Sequence, residues 1–294
     1  MENFGYFWDF QNPIENGAQS LERKVQRAIR LLKSFAANEA VELCFSGGKD
    51  SEVILELAKM ANIHFVPIYK NTTIDPPGTI AHCHRKGINI VQPKKTFFEL
   101  VQNGGLPTMR GRFCCQVLKE YKIMDKAIQG VSAAVSIKRA ARYDVKEPII
   151  CRIYRSKKNR VQVCLPIIDW TDSDVEEFIK KRNIQCHPLY YDDQGNFCVQ
   201  RRLGCLGCPL RGDRGEAHFL QYPRLFYAWM KNAKIWWDSH PNTSTRRKFP
   251  DIYAVMAHNM FYANYNEFLT ANNSMFGAPD WKTILEKHFN VQLL

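Results

Sequence analysis

Val41-Glu42-Leu43-Cys44-Phe45-Ser46-Gly47-Gly48-Lys49-Asp50-Ser51 is the stretch from which the fold is read. An apolar β-type run ends at Phe45, a Ser-Gly-Gly turn follows, and Lys-Asp-Ser opens a helical pattern through Val53, Ile54, Leu55, Leu57 and Ala58. A strand that turns through glycine into a helix aims backbone N–H groups at one point, and the helix dipole favours an anion there. Gly47 and Gly48 remove the Cβ atoms that would hold a phosphate off. Lys49 adds a positive charge, and Asp50 a carboxylate suited to magnesium beside the phosphates. A Walker loop is excluded, because it needs glycine where Leu43 stands and Ser or Thr where Asp50 stands.

Ser46-Gly47-Gly48-Lys49-Asp50-Ser51 resembles the SGGKDS loop of the PP-loop enzymes. The resemblance implies that these six residues bind ATP or an adenylyl nucleotide with Mg2+. It also implies reaction at the α-phosphate or at a group attached to it, with Lys49 and Asp50 in catalytic roles. The bland alternative is a glycine turn that merely joins strand to helix; six matching residues in the right context argue against it.

The chain has 294 residues, enough to bury a full core as one large domain or two small ones. No internal repeat or polar low-complexity tract interrupts it, and no apolar run reaches the length of a membrane span. Met1 to Asp9 lacks the basic start and apolar centre of a signal peptide, so a cytoplasmic protein with no membrane partner is expected. In that compartment ten cysteines suggest metal binding or catalysis more than disulfides. Lys plus Arg number 41 against 29 Asp plus Glu, a net +12. ATP alone does not need that charge; nucleic acid uses it, and a basic solvated surface is the plain alternative.

In chain order the pattern predicts an amphipathic helix over 20–37 with Ser20 at its N-cap, a strand near 41–45, a helix near 50–61 and a strand over 64–69. A helix near 79–86, a strand over 88–91 and a helix from Thr96 to Gln102 follow. Next come a helix near 115–128 and a buried strand from Val131 to Ser136. A hairpin over 149–154 and 161–165 has a basic tip, Arg155 to Arg160, read as a solvated turn or, more sharply, a nucleic-acid contact. Thr171 caps a helix from Asp172 to Lys181. After Gly215 the pattern is helical and aromatic, with helices near 250–270 and 279–289. Alternating strands and helices predict an α/β fold, a parallel sheet with helices on both faces, plus a C-terminal helical subdomain. The expected divisions are 1–37 as a helical lead-in, 38–214 as the PP-loop domain, and 215–294 as the helical subdomain.

Cys114 and Cys115 are adjacent, and Cys205-Leu206-Gly207-Cys208 forms C-x-x-C about ninety residues later. Neighbouring Cα atoms are only ~3.8 Å apart, so two adjacent thiolates reach one tetrahedral zinc awkwardly, whereas a cubane offers four separate iron corners. These four cysteines therefore favour [4Fe–4S] over zinc, with a redox disulfide behind both. Cys44, Cys83, Cys151, Cys164, Cys186 and Cys198 are read as structural, and His64, His82, His84 and His187 as surface or core histidines.

Taken together, Ser46 to Ser51, Cys114 to Lys119, Gly130-Val131 with Arg139-Ala140, Leu165 to Thr171, Asp174-Val175, Pro188-Leu189-Tyr190 and Gly204 to Pro209 resemble the phosphoadenosine phosphosulfate (PAPS) reductase family over roughly 40–210. The resemblance implies an adenine nucleotide α-hydrolase-like sheet and a cluster on Cys114, Cys115, Cys205 and Cys208. Two departures stand out. Reductases of the family carry a nucleophilic cysteine in a C-terminal tail, and here no cysteine follows Cys208. Ser132 and Val135 also replace the family's usual Arg and Glu. Three functions are weighed: ATP-dependent sulfur transfer to nucleic acid with a sulfur or electron donor protein, an adenylyl-sulfate or PAPS reductase making sulfite, and a non-catalytic nucleotide- or nucleic-acid-binding component. Arg110, Arg112, Lys119, Arg139 and Arg142 are the candidate phosphate contacts.

Overall fold

The computed structural model describes residues 20–134, 141, 143–154, 160–261, 264–272 and 279–294. Six strands form one sheet: β1 Val41–Phe45, β2 Phe65–Lys70, β3 Asn89–Val91, β4 Lys126–Gln129, β5 Ile149–Ile153 and β6 Arg160–Cys164. Their spatial order is β3-β2-β1-β4-β6-β5. All pairings are parallel except the edge pair, where β5 runs antiparallel to β6 as a hairpin. The central strand β1 is buried at Val41, Leu43 and Phe45, the near-continuous apolar run that a strand covered on both faces requires.

The helices are α1 Leu21–Ala36, α2 Lys49–Ala61, α3 Thr79–Arg85, α4 Phe97–Gly104, α5 Phe113–Leu118, α6 Asp172–Lys181, α7 Glu216–Gln221, α8 Pro223–Ser239, α9 Ser244–Lys248, α10 Ile252–Phe261, α11 Tyr265–Asn272 and α12 Trp281–Phe289. α1 buries Leu21, Val25, Ala28, Leu32 and Phe35 against the sheet-side core that α2 and β1 share. α4 and α6 start on capping boxes, Thr96 with Glu99 and Thr171 with Asp174. The C-terminal helices do not pack alone. Phe219, Phe226, Trp229 and Phe289 form one core with Phe97, Leu100 and Leu118 from the sheet domain.

Most expected elements fall within a residue or two of their predicted bounds; the region after α5 does not. Residues 126–129 are a strand rather than the end of a helix over 115–128, and Val131 to Ala134 lie beyond that strand rather than within one. Four residues are too few to display a period, and pairing with β1 on one side and β6 on the other decides their state. Ser20 occupies the N-cap position of α1 without a side-chain cap hydrogen bond. Cys151 is exposed on the edge strand rather than part of a core. His82 and His187 are buried, whereas His64 and His84 are exposed. The hairpin tip 155–159, Arg139, Arg142, Val135 and Ser136 lie outside the described residues.

Strand order reverses between β1 and β4: β2 and β3 continue to one side of β1, and β4 begins the other. Open α/β sheets bind ligands beyond the strands' carboxyl ends at such a switch point. The crevice is tight. A Cβ on Gly130, just past β4, would lie 2.7 Å from the Asp50 carbonyl oxygen. β1 also carries the fully buried Glu42, whose Oε1 pairs with Lys70 Nζ at 2.8 Å and whose Oε2 accepts the Met124 N–H at 3.0 Å. Those partners compensate a charge that would otherwise be costly to bury. Gly130→Ala should lower unfolding stability by about 1–3 kcal/mol, the usual cost of overpacking against backbone. Urea unfolding measures it, and an unchanged midpoint refutes the close approach.

Candidate functional site

Gly47 has φ +75°, the left-handed backbone that lets the chain leave β1 and enter α2. The loop's donors are already partly engaged. The Lys49 N–H donates to Tyr190 Oη at 3.0 Å and the Gly48 N–H to Ser46 Oγ at 3.3 Å. Ser51 Oγ donates to the Gly48 carbonyl at 2.7 Å, closing the first turn of α2 from within. Lys49 is buried, and its ammonium lies 2.8 Å from Asp172 Oδ1 and 3.2 Å from Asp50 Oδ1. Burial works against that charge, but Asp50 and Asp172 outweigh it and hold the Lys49 pKa above its ordinary value. Two carboxylates and one lysine thus stand together at the mouth of the β1–β4 crevice.

Asp172 enters from α6, 123 residues along the chain from Lys49. In sequence it reads only as an acid in the first turn of a helix, so nothing marked it as a partner of the loop. Tyr190 is the second unforeseen member. It lies in the 3-10 turn Pro188–Tyr190, and its hydroxyl also accepts the Leu203 N–H at 3.3 Å. Burial raises the pKa of that phenol, so it stays protonated. Leu203 in turn packs on the loop, within 3.0 Å of where a Gly47 Cβ would stand. The sequence signal for Tyr190 was its place in Pro188-Leu189-Tyr190; its role was not legible.

Leu203 belongs to the segment that carries the second cysteine pair. Cys114, Cys115, Cys205 and Cys208 all line one cavity of about 1070 Å³, with Leu203, Lys119 and Arg201 in the same wall. All ten cysteines are free thiols. The Leu206 N–H donates to the Ile74 carbonyl at 2.8 Å, and Cys205 Sγ lies 3.5 Å from Thr72 Oγ1 and 3.6 Å from Asp75 Oδ1. These contacts fix the cysteine loop at the carboxyl end of β2, beside the loop that follows β1. Gly207, with φ +71°, has no room for a side chain: a Cβ would meet the Phe219 ring at 2.5 Å.

The four thiols influence one another. Cys114 donates to Cys115, which with Lys119 and Arg112 lowers the Cys115 pKa to about 6 despite burial. The same hydrogen bond, with burial, raises Cys114. Burial raises Cys205 and Cys208. Cys205 chiefly favours the charge of Lys119 and raises its pKa against the cost of burial. Among the described residues no three His, Cys, Asp or Glu side chains are drawn into a closed ligand set. The donor chemistry is nonetheless that of a soft metal or iron–sulfur site. Trp229 Nε1, a buried N–H without a partner, lies in the wall of this same cavity, where a sulfur-rich group would accept it.

His187, behind the loop, lies with Nε2 3.4 Å from Thr79 Oγ1, while its Nδ1 accepts the Leu189 N–H at 3.2 Å. Burial, His82 and Arg85 together lower its pKa to about 4, against the pull of Glu52. Its proton is therefore unwelcome in the folded state. His187 contributes its full share of stability above pH 6.5, and that share drains away as the pH falls towards 4, by up to about 3 kcal/mol. Denaturant unfolding at pH 7 and pH 4.5 measures the loss. His187→Gln should shrink the pH dependence, and an identical slope in that variant refutes the assignment.

Residues 40–211, more than half of the chain, match the family model of the phosphoadenosine phosphosulfate reductase domain. Uncharacterized protein MJ0973 of Methanocaldococcus jannaschii is 26% identical over 251 residues, covering 78% of this chain and 57% of its own length. An uncharacterized 37.8 kDa protein of Escherichia phage 186 is 30% identical over 142 residues, covering 42% of this chain and 38% of its own. The chain thus spans less than two thirds of either relative. Among solved structures, the U34-tRNA thiolase NcsA from Methanococcus maripaludis with its [4Fe-4S] cluster aligns over 79% of this chain and 85% of that one, at 17% identity and a TM-score of 0.40. No helix among the described residues is long and apolar enough to cross a membrane.

Proposed function

Because the chain belongs to the phosphoadenosine phosphosulfate reductase family, we propose that it is a PP-loop enzyme that uses ATP to transfer sulfur to nucleic acid. The observation that carries this reading is the Leu203 segment: it packs on Gly47 of the glycine loop and walls the cavity of the four sulfurs. A nucleotide on Ser46 to Ser51 and a sulfur-handling group on Cys114, Cys115, Cys205 and Cys208 are then neighbours.

In this reading Gly47, Gly48 and the start of α2 receive the phosphates. Asp50 and Asp172, each partly exposed, hold Mg2+, which needs few protein carboxylates because phosphate oxygens and water complete its shell. Lys49, between them, turns its charge to the leaving pyrophosphate. An acceptor oxygen attacks the α-phosphorus, the bond to the β-phosphate breaks, and pyrophosphate departs. A donor at the sulfide level then forms its bond to the activated atom, and AMP leaves with the former acceptor oxygen. Fixed charges aimed at the phosphates supply most of the rate. Cys114, Cys115, Cys205 and Cys208 would hold a [4Fe–4S] cluster, and with all four irons ligated it would position the sulfur donor beside the nucleotide rather than bind sulfur at an open iron. Tyr190 and Leu203 keep the two halves in register, and the +12 balance draws a polyanionic acceptor.

A sulfonucleotide reductase is the second reading, kept by the family name. It needs an accessible nucleophilic thiol in place of the tail cysteine, either Cys186 or Cys198; Cys186 is buried, with its pKa pushed up to about 12, and does not suit that role, which leaves the half-buried Cys198.

Anaerobically purified protein should carry about four irons per chain with broad visible absorption, and Cys205→Ser with Cys208→Ser should lose both. Zinc in place of iron would overturn the cluster. The iron-loaded protein, given ATP, Mg2+, sulfide and RNA or DNA, should release pyrophosphate and AMP in equal amounts. Lys49→Met or Asp172→Asn should slow that release about 100-fold or more. Absence of ATP turnover with every nucleic acid, together with sulfite release from adenylyl sulfate and thioredoxin, would decide for the reductase.

A further inference from the structure

The sheet is left open at one edge. β5 is last in the strand order, and its only strand partner among the described residues is β6. Side chains alternate along it: Ile150 and Arg152 are half-buried, whereas Ile149, Cys151 and Ile153 are exposed. Ile153 keeps 73% of its surface in water. Arg152 turns to Gln129 and Tyr143, so no charge lies among the three exposed side chains. Sheet edges are normally blunted by a charge in mid-strand, a bulge or a very short strand. β3, at the opposite edge, is three residues long and begins on the exposed Asn89. β5 instead has five residues in unbroken register with β6.

The hydrogen-bond register shows which backbone groups are spare. The Leu165 N–H donates to the Pro148 carbonyl at 2.8 Å, so Pro148 and Leu165 form a hydrogen-bonded pair of the hairpin. Alternation then bonds Ile150 to Val163 and Arg152 to Val161. The Gln162 N–H agrees, because it donates away from β5, to the Asp125 carbonyl. Ile149, Cys151 and Ile153 are therefore the positions not bonded to β6, and their N–H and C=O groups point out of the sheet's edge. The same three residues carry the exposed side chains.

That edge fits a copy of itself. Ile149, Cys151 and Ile153 read the same in both directions about Cys151. An antiparallel copy, turned about a twofold axis beside Cys151, sets Cys151 opposite its counterpart and Ile149 of each copy opposite Ile153 of the other. All three pairs are then hydrogen-bonded pairs with their side chains on one face. Charge agrees with this pairing. The stretch before β5, Asp144 to Pro148, has two acids and one lysine, and the stretch that follows it in sequence, Arg155 to Lys158, has three cations and no acid. Reversed copies bring the acidic end of one strand to the basic end of the other. We propose that two copies of this chain associate through β5, joining two six-stranded sheets into one. The strand is short, so the contact is modest and the dimer exchanges with the monomer. Nothing in this depends on the reaction proposed above.

Sedimentation velocity on the full chain, reduced and without nucleotide, tests this over a concentration series. The average mass should climb from one chain towards two. A short bis-maleimide should link two chains through Cys151, and Cys151→Ser should lose the cross-link while still associating. Ile153→Lys meets the interface twice and should weaken association about tenfold or more. Its melting temperature should stay unchanged, since Ile153 is exposed. Asn89→Lys on β3 is the control and should change nothing. If Ile153→Lys melts early, Cys151→Pro takes its place, because it removes only an outward N–H of an edge strand. A single-chain mass at every concentration overturns the inference and leaves the edge to a strand of another protein. A dimer that forms without the Cys151 cross-link, or that withstands both substitutions, overturns it as well.

Discussion

One phenol holds the arrangement together. Tyr190 Oη accepts a backbone N–H from Lys49 on one side and from Leu203 on the other. Those residues are far apart in sequence: Lys49 opens α2 out of the glycine loop, and Leu203 leads into the second cysteine pair. A buried hydroxyl with both acceptor positions used is a strong positional constraint, because losing either bond leaves a buried N–H without a partner. The bridge sets the cysteine loop on the glycine loop, Leu203 fills the space above Gly47, and Cys205 comes to rest beside Thr72 and Asp75 at the end of the next strand. The spacing between the glycine loop and the cysteine cavity follows from that contact.

Much of this was legible because short-range rules govern it. The strand-turn-helix over 41–61, the helix start at Thr96, the cap at Thr171, and the hairpin near 149–164 all carry local signals, and the structure agrees with each to within a residue or two. The convergence of the two cysteine pairs on one cavity was anticipated from thiol geometry and from the family pattern. What escaped were residues whose role is set by pairing at a distance. Asp172 looks like any acid at a helix start until the fold sets it 2.8 Å from Lys49. β4 reads as part of a helix because four residues between two strands obey their neighbours rather than their own preferences. The bare loop expected at Ser46 to Ser51 is instead partly satisfied by the protein itself, through Tyr190, Ser46 and the Lys49 carboxylate partners.

Charge is distributed with the same economy. Glu42 and Lys70 cancel inside the sheet, and Lys49 is cancelled by Asp50 and Asp172. Each of these buried ammonium groups thus meets a carboxylate within 3.2 Å, which compensates the cost of taking it out of water.

The glycine between the second pair of cysteines lies against the ring of Phe219, which is packed with Phe226 and Trp229 of α8 and with Phe289 of α12. The spacing of two sulfurs is thereby moulded by aromatic rings as far as 82 residues downstream of that glycine. Swapping the sheet half of this chain onto a relative's helices would leave every cysteine in place on paper while altering the template that shapes their loop. Chimeras that join the halves must carry that ring along with the glycine.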